Sequence, residues 1–316
     1  MIMRILCVLC LLGIIVACQT PQSSLTIEQQ ADGVWIKEKG HPVLFYQKTA
    51  KPEQNEYARS HYFHPLYSLD GTVLTEDMPE DHYHHHGIFW AWHQTYIGDK
   101  RIGDAWVNED FEWRVDQVKP VLFQSGAVGL NLVVNYLSPL WVDEQGQPKP
   151  FIEEHTLVQV YPRTDSTRMI DFRIGLRALL PDVAIGGSED SKGYGGFSLR
   201  IKMPDSLTFT SALGPVQPQR DAIKGGGWMD FSAPYEENGE WSGVTLMVHP
   251  SSEGFPQPWI LRQKKSMQNA AYPGRDPVTV PTDRPLVFKY RLILYKGQTD
   301  DINIDALYES FANRVE

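Results

Sequence analysis

Five of the ten histidines in this 316-residue chain lie within residues 81–93. Neutral imidazole transfers protons efficiently near pH 7 and is also the commonest metal ligand among side chains. A histidine cluster of this density therefore indicates either an acid/base site or a metal site. The alternative interpretation is a polar loop that binds metal adventitiously or bonds its own backbone.

The residues around the cluster predict how the histidines are positioned. Residues 88–92 form an apolar run typical of a buried strand. His82 to His86 therefore lie in the segment that leads into this strand. If they are extended, alternation places His82, His84 and His86 on one face and His85 on the other. We therefore expect His84 and His86 to be acid/base groups or ligands of a divalent metal.

Three further residues are secondary catalytic candidates. His93 follows the apolar run, and His249 ends a later one. Glu154 lies in the segment Glu153-Glu154-His155, where a carboxylate beside an imidazole can act as a ligand or an acid/base pair. Adjacent carboxylates point in different directions, so at most one of them faces a given partner. A solvated strand end explains the same pattern.

Cations and aromatic residues could complete a binding cleft. Lys192 and Arg200 flank the end of a glycine-rich loop, and Arg262 follows a later strand. These side chains suit a substrate carboxylate or sugar oxygens, although ordinary salt bridges account for them equally well. Trp228 and Trp259 suit the apolar face of a sugar ring, whereas tryptophan is also a common core residue.

The distribution of apolar residues predicts an all-β fold. From Val34 onward, short apolar or alternating runs are separated by Gly, Pro, Asn and Asp. Alternation in residues 130–136 and 288–295 is expected of strands with one buried and one wet face. We predict a large antiparallel β-sandwich formed by residues 31–316 as a single domain. The lack of a blade-length repeat disfavours a propeller.

One helix is predicted, at the C-terminal end. Within residues 302–312, apolar side chains recur at helical spacing, and Asn303 or Asp301 is a plausible N-cap. We expect its apolar stripe to pack against a sheet.

The N-terminal residues predict export. Residues 1–18 have the charged start, short apolar middle and small-residue end of a secretory signal. The residues before Cys18 resemble a lipobox, which predicts cleavage there and acylation of Cys18. The other two cysteines lie in the removed segment, so no disulfide is expected. Residues 19–30 read as a tether, and the predicted location is the bacterial cell envelope, lipid-anchored on the periplasmic face or the cell surface.

The charge balance limits the class of partner. The chain has 29 basic and 39 acidic residues, a net charge of −10. This balance disfavours nucleic acid. No apolar run after residue 18 is long enough to span a bilayer, so the lipid is the only expected membrane contact.

Four blocks stand in order along the chain: Tyr62–Leu66, residues 81–87, residues 195–200, and His249-Pro250 with Pro258-Trp259 and Arg262. Together they resemble a bacterial family of exported proteins labelled PmoA-like, or "methane oxygenase PmoA". The resemblance spans about residues 40–295 and implies a β-sandwich similar to the galactose-mutarotase-like supersandwich. The chain departs from the family at His86, where members have Arg, and at Ser252, where they have Asn.

The leading functional hypothesis is a cell-envelope enzyme that acts on carbohydrate as a lyase, hydrolase or epimerase. Two alternatives remain open at this point. A non-catalytic glycan-binding lipoprotein would need the aromatic and cationic residues but not the histidines. A metal-dependent oxygenase would need His84, His86 and a carboxylate as ligands, and spacing fixes no third ligand.

Overall fold

The structure is a computed structural model that describes residues 24–51, 57–235 and 239–314. Its strands form three antiparallel sheets. The first sheet has eight strands: β1 (Leu25–Gln29), β2 (Gly33–Glu38), β3 (His41–Gln47), β4 (Tyr62–Leu66), β5 (Ile88–Ala91), β13 (Gly196–Leu199), β18 (Trp259–Ile260) and β19 (Gln268–Ala271). Their order is β1-β2-β3-β4-β5-β13-β19-β18.

The second sheet is the larger one. Its nine strands are β8 (Glu112–Leu122), β9 (Val128–Leu137), β10 (Ile152–Val160), β11 (Thr167–Ala178), β14 (Thr208–Ser211), β15 (Gly214–Pro215), β16 (Trp228–Ala233), β17 (Ser242–Val248) and β21 (Leu286–Lys296). They are arranged in the order β15-β14-β16-β17-β21-β11-β10-β9-β8.

A small third sheet completes the strand set. It contains β6 (Gln94–Ile97), β7 (Lys100–Gly103), β12 (Val183–Gly186) and β20 (Val278–Thr279), in the order β20-β12-β6-β7. The chain ends in a 3₁₀ turn (Thr299–Asp301) and the helix α1 (Ile304–Ala312). The predicted all-β fold with one C-terminal helix is therefore confirmed.

The two large sheets pack face to face through aromatic residues. Phe63 of β4 meets Phe172 of β11 edge-on, with ring centroids 5.5 Å apart. Phe197 of β13 stacks on Tyr290 of β21 at 4.3 Å. One hydrophobic cluster includes residues from all three sheets. Burial of this apolar surface is the dominant favourable contribution to folding.

The strand β1 corrects one boundary. Leu25–Gln29 pairs along its length with β2, and Leu25 is buried, so the predicted tether over residues 19–30 extends too far. Cys18 and the predicted signal lie outside the described residues. Within the described residues, no helix is long and apolar enough to cross a membrane.

The C-terminal helix is capped and packed as predicted. The Asn303 side chain accepts a hydrogen bond from the Ala306 backbone N–H at 3.0 Å. Ile304 and Phe311 are buried on the outer face of the second sheet.

Candidate functional site

The histidine segment is folded into turns, not extended. The His82 backbone N–H donates to the Pro79 carbonyl at 2.9 Å, and the His85 N–H donates to the His82 carbonyl at 3.0 Å. The strand β5 begins only at Ile88. The expected alternation of histidine faces is therefore wrong, because it holds only for an extended chain.

Three of these histidines line one cavity of about 390 Å³, a volume within the usual range for small-molecule sites. Loops after β4, β5, β7, β12 and β18 contribute to its walls. We call it the histidine pocket; its lining residues are His82, His84, His85, His93, Trp106, Val107, Lys192, Tyr194, Arg262, Lys264, Lys265, Ser266 and Met267.

The imidazoles of the turn segment pack against one another. His82 and His85 stack with ring centroids 4.6 Å apart and planes 2° from parallel, and His84 meets His85 edge-on at 4.5 Å. Burial, then the neighbouring His82 and His93, lowers the pKa of His84 to about 4. Burial lowers the pKa of His85 further still. Both imidazoles are therefore neutral at pH 7 and can donate or accept hydrogen bonds.

His93 is oriented by a carboxylate. Its Nδ1 lies 2.9 Å from Asp104 Oδ2, and Arg101 Nη2 donates to the same oxygen at 3.3 Å. A carboxylate beside Nδ1 favours the tautomer with its proton on Nδ1, which leaves the lone pair on Nε2. His93 Nε2 is buried and has no hydrogen-bond partner in the described parts of the chain. The imidazole is thus set up as a proton acceptor.

Tyr194 packs against His93 in the wall of the pocket. The two rings meet edge-on at 4.9 Å, and both contact the ring of Trp106. Burial is the main cause that raises the pKa of Tyr194, although Lys192 Nζ, 4.9 Å from the ring centroid, opposes it. The phenol is therefore protonated at neutral pH and can act as a proton donor. Gly193 precedes it at φ +58°, which glycine adopts without strain.

Arg200 lies behind the pocket and is 2% exposed. Its Nη2 donates to Asp81 Oδ1 at 2.8 Å, its Nε to Glu76 at 2.8 Å, and its Nη1 to the Ser266 carbonyl at 2.6 Å. These contacts join the histidine turn to the loop after β18. Arg200 therefore positions the pocket walls and does not line the pocket, contrary to its predicted contact with substrate.

His86 is buried outside the pocket. Its Nδ1 lies 2.8 Å from Asp77 Oδ1, and its ring lies 4.5 Å from that of Tyr62. Burial, partly offset by Asp77, lowers its pKa to about 4. His84 and His86 are thus on different sides of the turn, so their predicted convergence as a pair is wrong. Within the described residues, no group of three or more His, Cys, Asp or Glu side chains could hold a metal ion.

Glu154 lies between the two large sheets and is fully buried. His61 Nε2 is 2.8 Å from Oε1, and the Trp90 indole N–H donates to Oε2 at 2.8 Å. Hydroxyls of Tyr136 and Thr156 donate to the same carboxylate. Although burial raises its pKa, His61 and these donors lower it overall. Glu154 thus belongs to a core network away from the pocket, and its predicted role beside His84 does not fit this position.

The remaining predicted residues divide between the pocket and the rest of the fold. Lys192, Arg262 and His93 line the pocket, as predicted. His249 instead packs edge-on against Phe311, near the C-terminal helix. Two tryptophans are also elsewhere: Trp228 donates to Asp305 of α1, and Trp259 is fully buried and donates to the Gly226 carbonyl. They cannot stack on a ligand in the pocket.

Outside the histidine cluster, seven lining residues were not among the sequence candidates: Trp106, Val107, Tyr194, Lys264, Lys265, Ser266 and Met267. Tyr194 lies in the same glycine-rich loop as Lys192, and this loop was a sequence signal that could have identified it. Nothing in the sequence near Trp106 or Lys265 indicates a site, because their neighbours in the pocket are distant along the chain.

Comparison with known proteins identifies the family. A family model matches residues 34–309. The chain belongs to DUF6807, a family of unknown function. No curated protein matches the sequence. Among solved structures, the chain is similar to that of YeaD from Salmonella typhimurium, a proposed mutarotase, with 10% identity and a TM-score of 0.33; the match covers 86% of this chain and 94% of that one.

Proposed function

We propose that this DUF6807 member is an enzyme that moves protons on a carbohydrate substrate, as a lyase or an epimerase. The observation that carries the proposal is His93. Asp104 Oδ2 lies 2.9 Å from His93 Nδ1, which favours the tautomer protonated on Nδ1. His93 Nε2 has no hydrogen-bond partner among the described residues. An imidazole whose Nδ1 faces a carboxylate and whose Nε2 faces a cavity has the arrangement of a typical general base.

Tyr194 supplies the complementary group. Its raised pKa keeps the phenol protonated, and its ring lies 4.9 Å from that of His93. His93 would take a proton from a substrate carbon, and Tyr194 would give one to the leaving oxygen or to the opposite face. His84 and His85, both neutral, would hydrogen-bond sugar hydroxyls.

The residues that line the pocket disfavour hydrolysis, one of the three predicted reaction types. Glycoside hydrolases generally use two carboxylates flanking the scissile bond. In the described parts of the chain, no Asp or Glu lines the pocket. Asp104 is near, but it is engaged by His93 and Arg101. Lyase and epimerase chemistry, which can use imidazole and phenol, therefore suits these residues better.

The wall of the pocket supports a sugar as substrate. Tyr194 and Trp106 present aromatic surface beside polar and cationic groups, a combination that suits the apolar face and hydroxyl edge of a sugar. We propose further that the protein is PmoA-like in the sense of its sequence resemblance and is held at the bacterial cell envelope by a lipid on Cys18.

The test is a turnover screen of the purified full-length protein against defined oligosaccharides, followed by two matched variants. His93→Gln should lower turnover by about 10² to 10⁴, the usual contribution of a general base. His155→Gln is the control, because His155 is 56% exposed on β10 and lies outside the pocket. Unchanged turnover in His93→Gln on a confirmed substrate would contradict the assignment.

The same preparation separates the alternatives. Ligand retention that is lost in Tyr194→Ala, without any product from the wild type, would favour a glycan-binding protein. Stoichiometric zinc, iron or manganese in the purified protein would favour a metal-dependent oxygenase.

A further inference from the structure

The histidine pocket is strongly cationic, although the protein as a whole has a net charge of −10. Lys192, Arg262, Lys264 and Lys265 all line it. Asp190 and Asp221 lie near Arg262 but not on the lining of the described pocket. A concentration of positive charge against the overall balance indicates that an anionic ligand enters here.

Two of the four cations are compensated by carboxylates. Lys192 Nζ lies 2.9 Å from Asp190 Oδ2, and Lys264 Nζ lies 2.9 Å from Asp205 Oδ1. These pairs contribute little attraction for a ligand, because their charges are already matched.

The other two cations retain their charge for a ligand. Among the described residues, the Arg262 guanidinium donates only to backbone carbonyls, those of Gln219 at 2.8 Å, Arg220 at 2.9 Å and its own neighbour Leu261 at 2.8 Å. Lys265 makes no ion pair with any described residue. Among the described residues, neither cation has a carboxylate within ion-pair distance, although Asp190 and Asp221 act on Arg262 from further away. A substrate carboxylate would add charge-assisted hydrogen bonds to both cations.

We propose that the substrate is a uronic-acid-containing glycan whose carboxylate binds Arg262 and Lys265, and that the reaction is β-elimination. This inference rests on the proposed proton-transfer function. A sulfate or phosphate ester would satisfy the same charges, but neither acidifies a ring C–H bond. A neutralised carboxylate does, because the carbanion formed next to it is stabilised by delocalisation onto oxygens held by cations.

The reaction balances without an oxidant or a reductant. His93 Nε2 takes the proton from the carbon that carries the carboxylate, and the C–H electron pair forms a C=C bond to the adjacent ring carbon. The C–O bond from that carbon to the leaving sugar breaks. Tyr194 gives its proton to the leaving oxygen, and the proton on His93 returns to the phenolate through solvent.

The experiment uses the purified full-length protein with oligogalacturonides, glucuronate-containing and mannuronate-containing oligosaccharides, and the carboxyl-reduced form of each. Binding is measured by calorimetry, and elimination by the ultraviolet absorbance of the new conjugated double bond. At least one uronate should bind about tenfold or more tightly than its reduced counterpart, since charge-assisted hydrogen bonds are among the stronger polar contacts. Its affinity should fall as salt is raised.

Matched variants test the residues. Lys265→Gln and Arg262→Gln should each raise the Kd for that uronate about tenfold and leave the Kd for the reduced sugar unchanged. Arg262→Lys retains the charge and separates loss of charge from loss of the backbone contacts. Lys37→Gln is the control, because Lys37 lies on β2 outside the pocket and pairs with Glu28.

The outcomes separate this inference from the proposed function. Turnover of reduced and uronate sugars at equal rates would overturn the uronate inference and leave proton transfer standing. Tight uronate binding that is lost in Lys265→Gln, without any unsaturated product, would support the ligand class and overturn the elimination. Equal, weak binding of all probes would overturn the inference, as would variants that bind the uronate like the wild type.

Discussion

His86 Nδ1 and Asp77 Oδ1 are 2.8 Å apart, on the far side of the turn whose other imidazoles line the pocket. His86 is fully buried, whereas His84 is partly exposed at the cavity. Neighbouring histidines in one motif therefore have different roles. His86 is enclosed in the fold beside Asp77, and His84 lines the histidine pocket.

Substitution of each histidine in turn should distinguish their effects on stability and on turnover. His86→Ala removes the buried imidazole from Asp77 Oδ1, while Tyr62 and Lys51 still contact Oδ2, so the free energy of unfolding should fall by about 1–3 kcal/mol. His84→Ala should lower turnover on a confirmed substrate and change stability less. Denaturant unfolding and steady-state kinetics of both variants provide the check. Equal loss of stability in both would contradict the separation.

The adjacent carboxylates of β10 offer a second comparison. Glu154→Gln removes the charge that accepts from Trp90 and faces His61, so it should cost about 3 kcal/mol of stability, as expected when a buried pair loses one member. Glu153→Gln, which loses only partly exposed contacts to Arg177 and His155, should cost less than about 1 kcal/mol.

Chemical denaturation of the two glutamate variants measures this difference. A catalytic role for Glu154, which the sequence suggested, would instead appear as lost turnover with unchanged stability. That result would contradict the position of Glu154 between the two sheets, away from the pocket.

The tryptophans test which aromatic residues contact ligand. Trp259 is fully buried in the core, so Trp259→Ala should destabilise the protein by about 3–5 kcal/mol. Tyr194→Ala should leave the melting temperature nearly unchanged and abolish retention on a glycan that the wild type binds. Specific loss of retention in a stable Trp259→Ala variant would return that residue to the binding site.

The sequence predicted the fold well because strand signals are local. Apolar alternation in β9 and β21, and helical spacing in α1, depend on residues within one element. The N-cap Asn303 was identified for the same reason. The wet face expected for β21 was wrong, because residues 290–295 are buried on both faces and the helix packs against Ile293 and Tyr295.

The site was predicted only in part, because it depends on loop geometry. The turns between Pro79 and His85 bring His85 into the same pocket as His82 and His84 and leave His86 outside it. Tyr194 and Lys265 line the same pocket as His93, although they are distant from it along the chain. Such contacts between distant loops leave no periodic signal in the sequence.

Cys18 lies outside the described residues, and its acylation stays a prediction. Cys18→Ser should block processing of the precursor or release the protein from membranes. Fractionation and incorporation of a labelled fatty acid measure both effects. Cys10→Ser is the matched control, because Cys10 lies within the segment predicted to be removed and should have no effect on anchoring. A Cys18→Ser protein that is processed, labelled and membrane-bound like the wild type would contradict lipidation.

The buried imidazoles predict how stability depends on pH. Burial lowers the pKa of His84 from its usual 6.5 to about 4. Between these values, the unfolded chain binds a proton that the folded chain does not, so stability falls as pH decreases from 6.5 toward 4. Protonation of His84 should lower the free energy of unfolding by on the order of 3 kcal/mol in total. None of this loss is present above pH 6.5, and all of it is present below pH 4.

The measurement is the free energy of unfolding by denaturant at several pH values between 7.5 and 4. His84→Gln should show a shallower decline than the wild type, because it has no imidazole to protonate at that position. His85 and His86, whose pKa values are also lowered by burial, should maintain part of the slope. His41→Gln is the control, since His41 is exposed at the start of β3. Identical slopes for His84→Gln and the wild type would show that His84 is solvated and not packed among its neighbours.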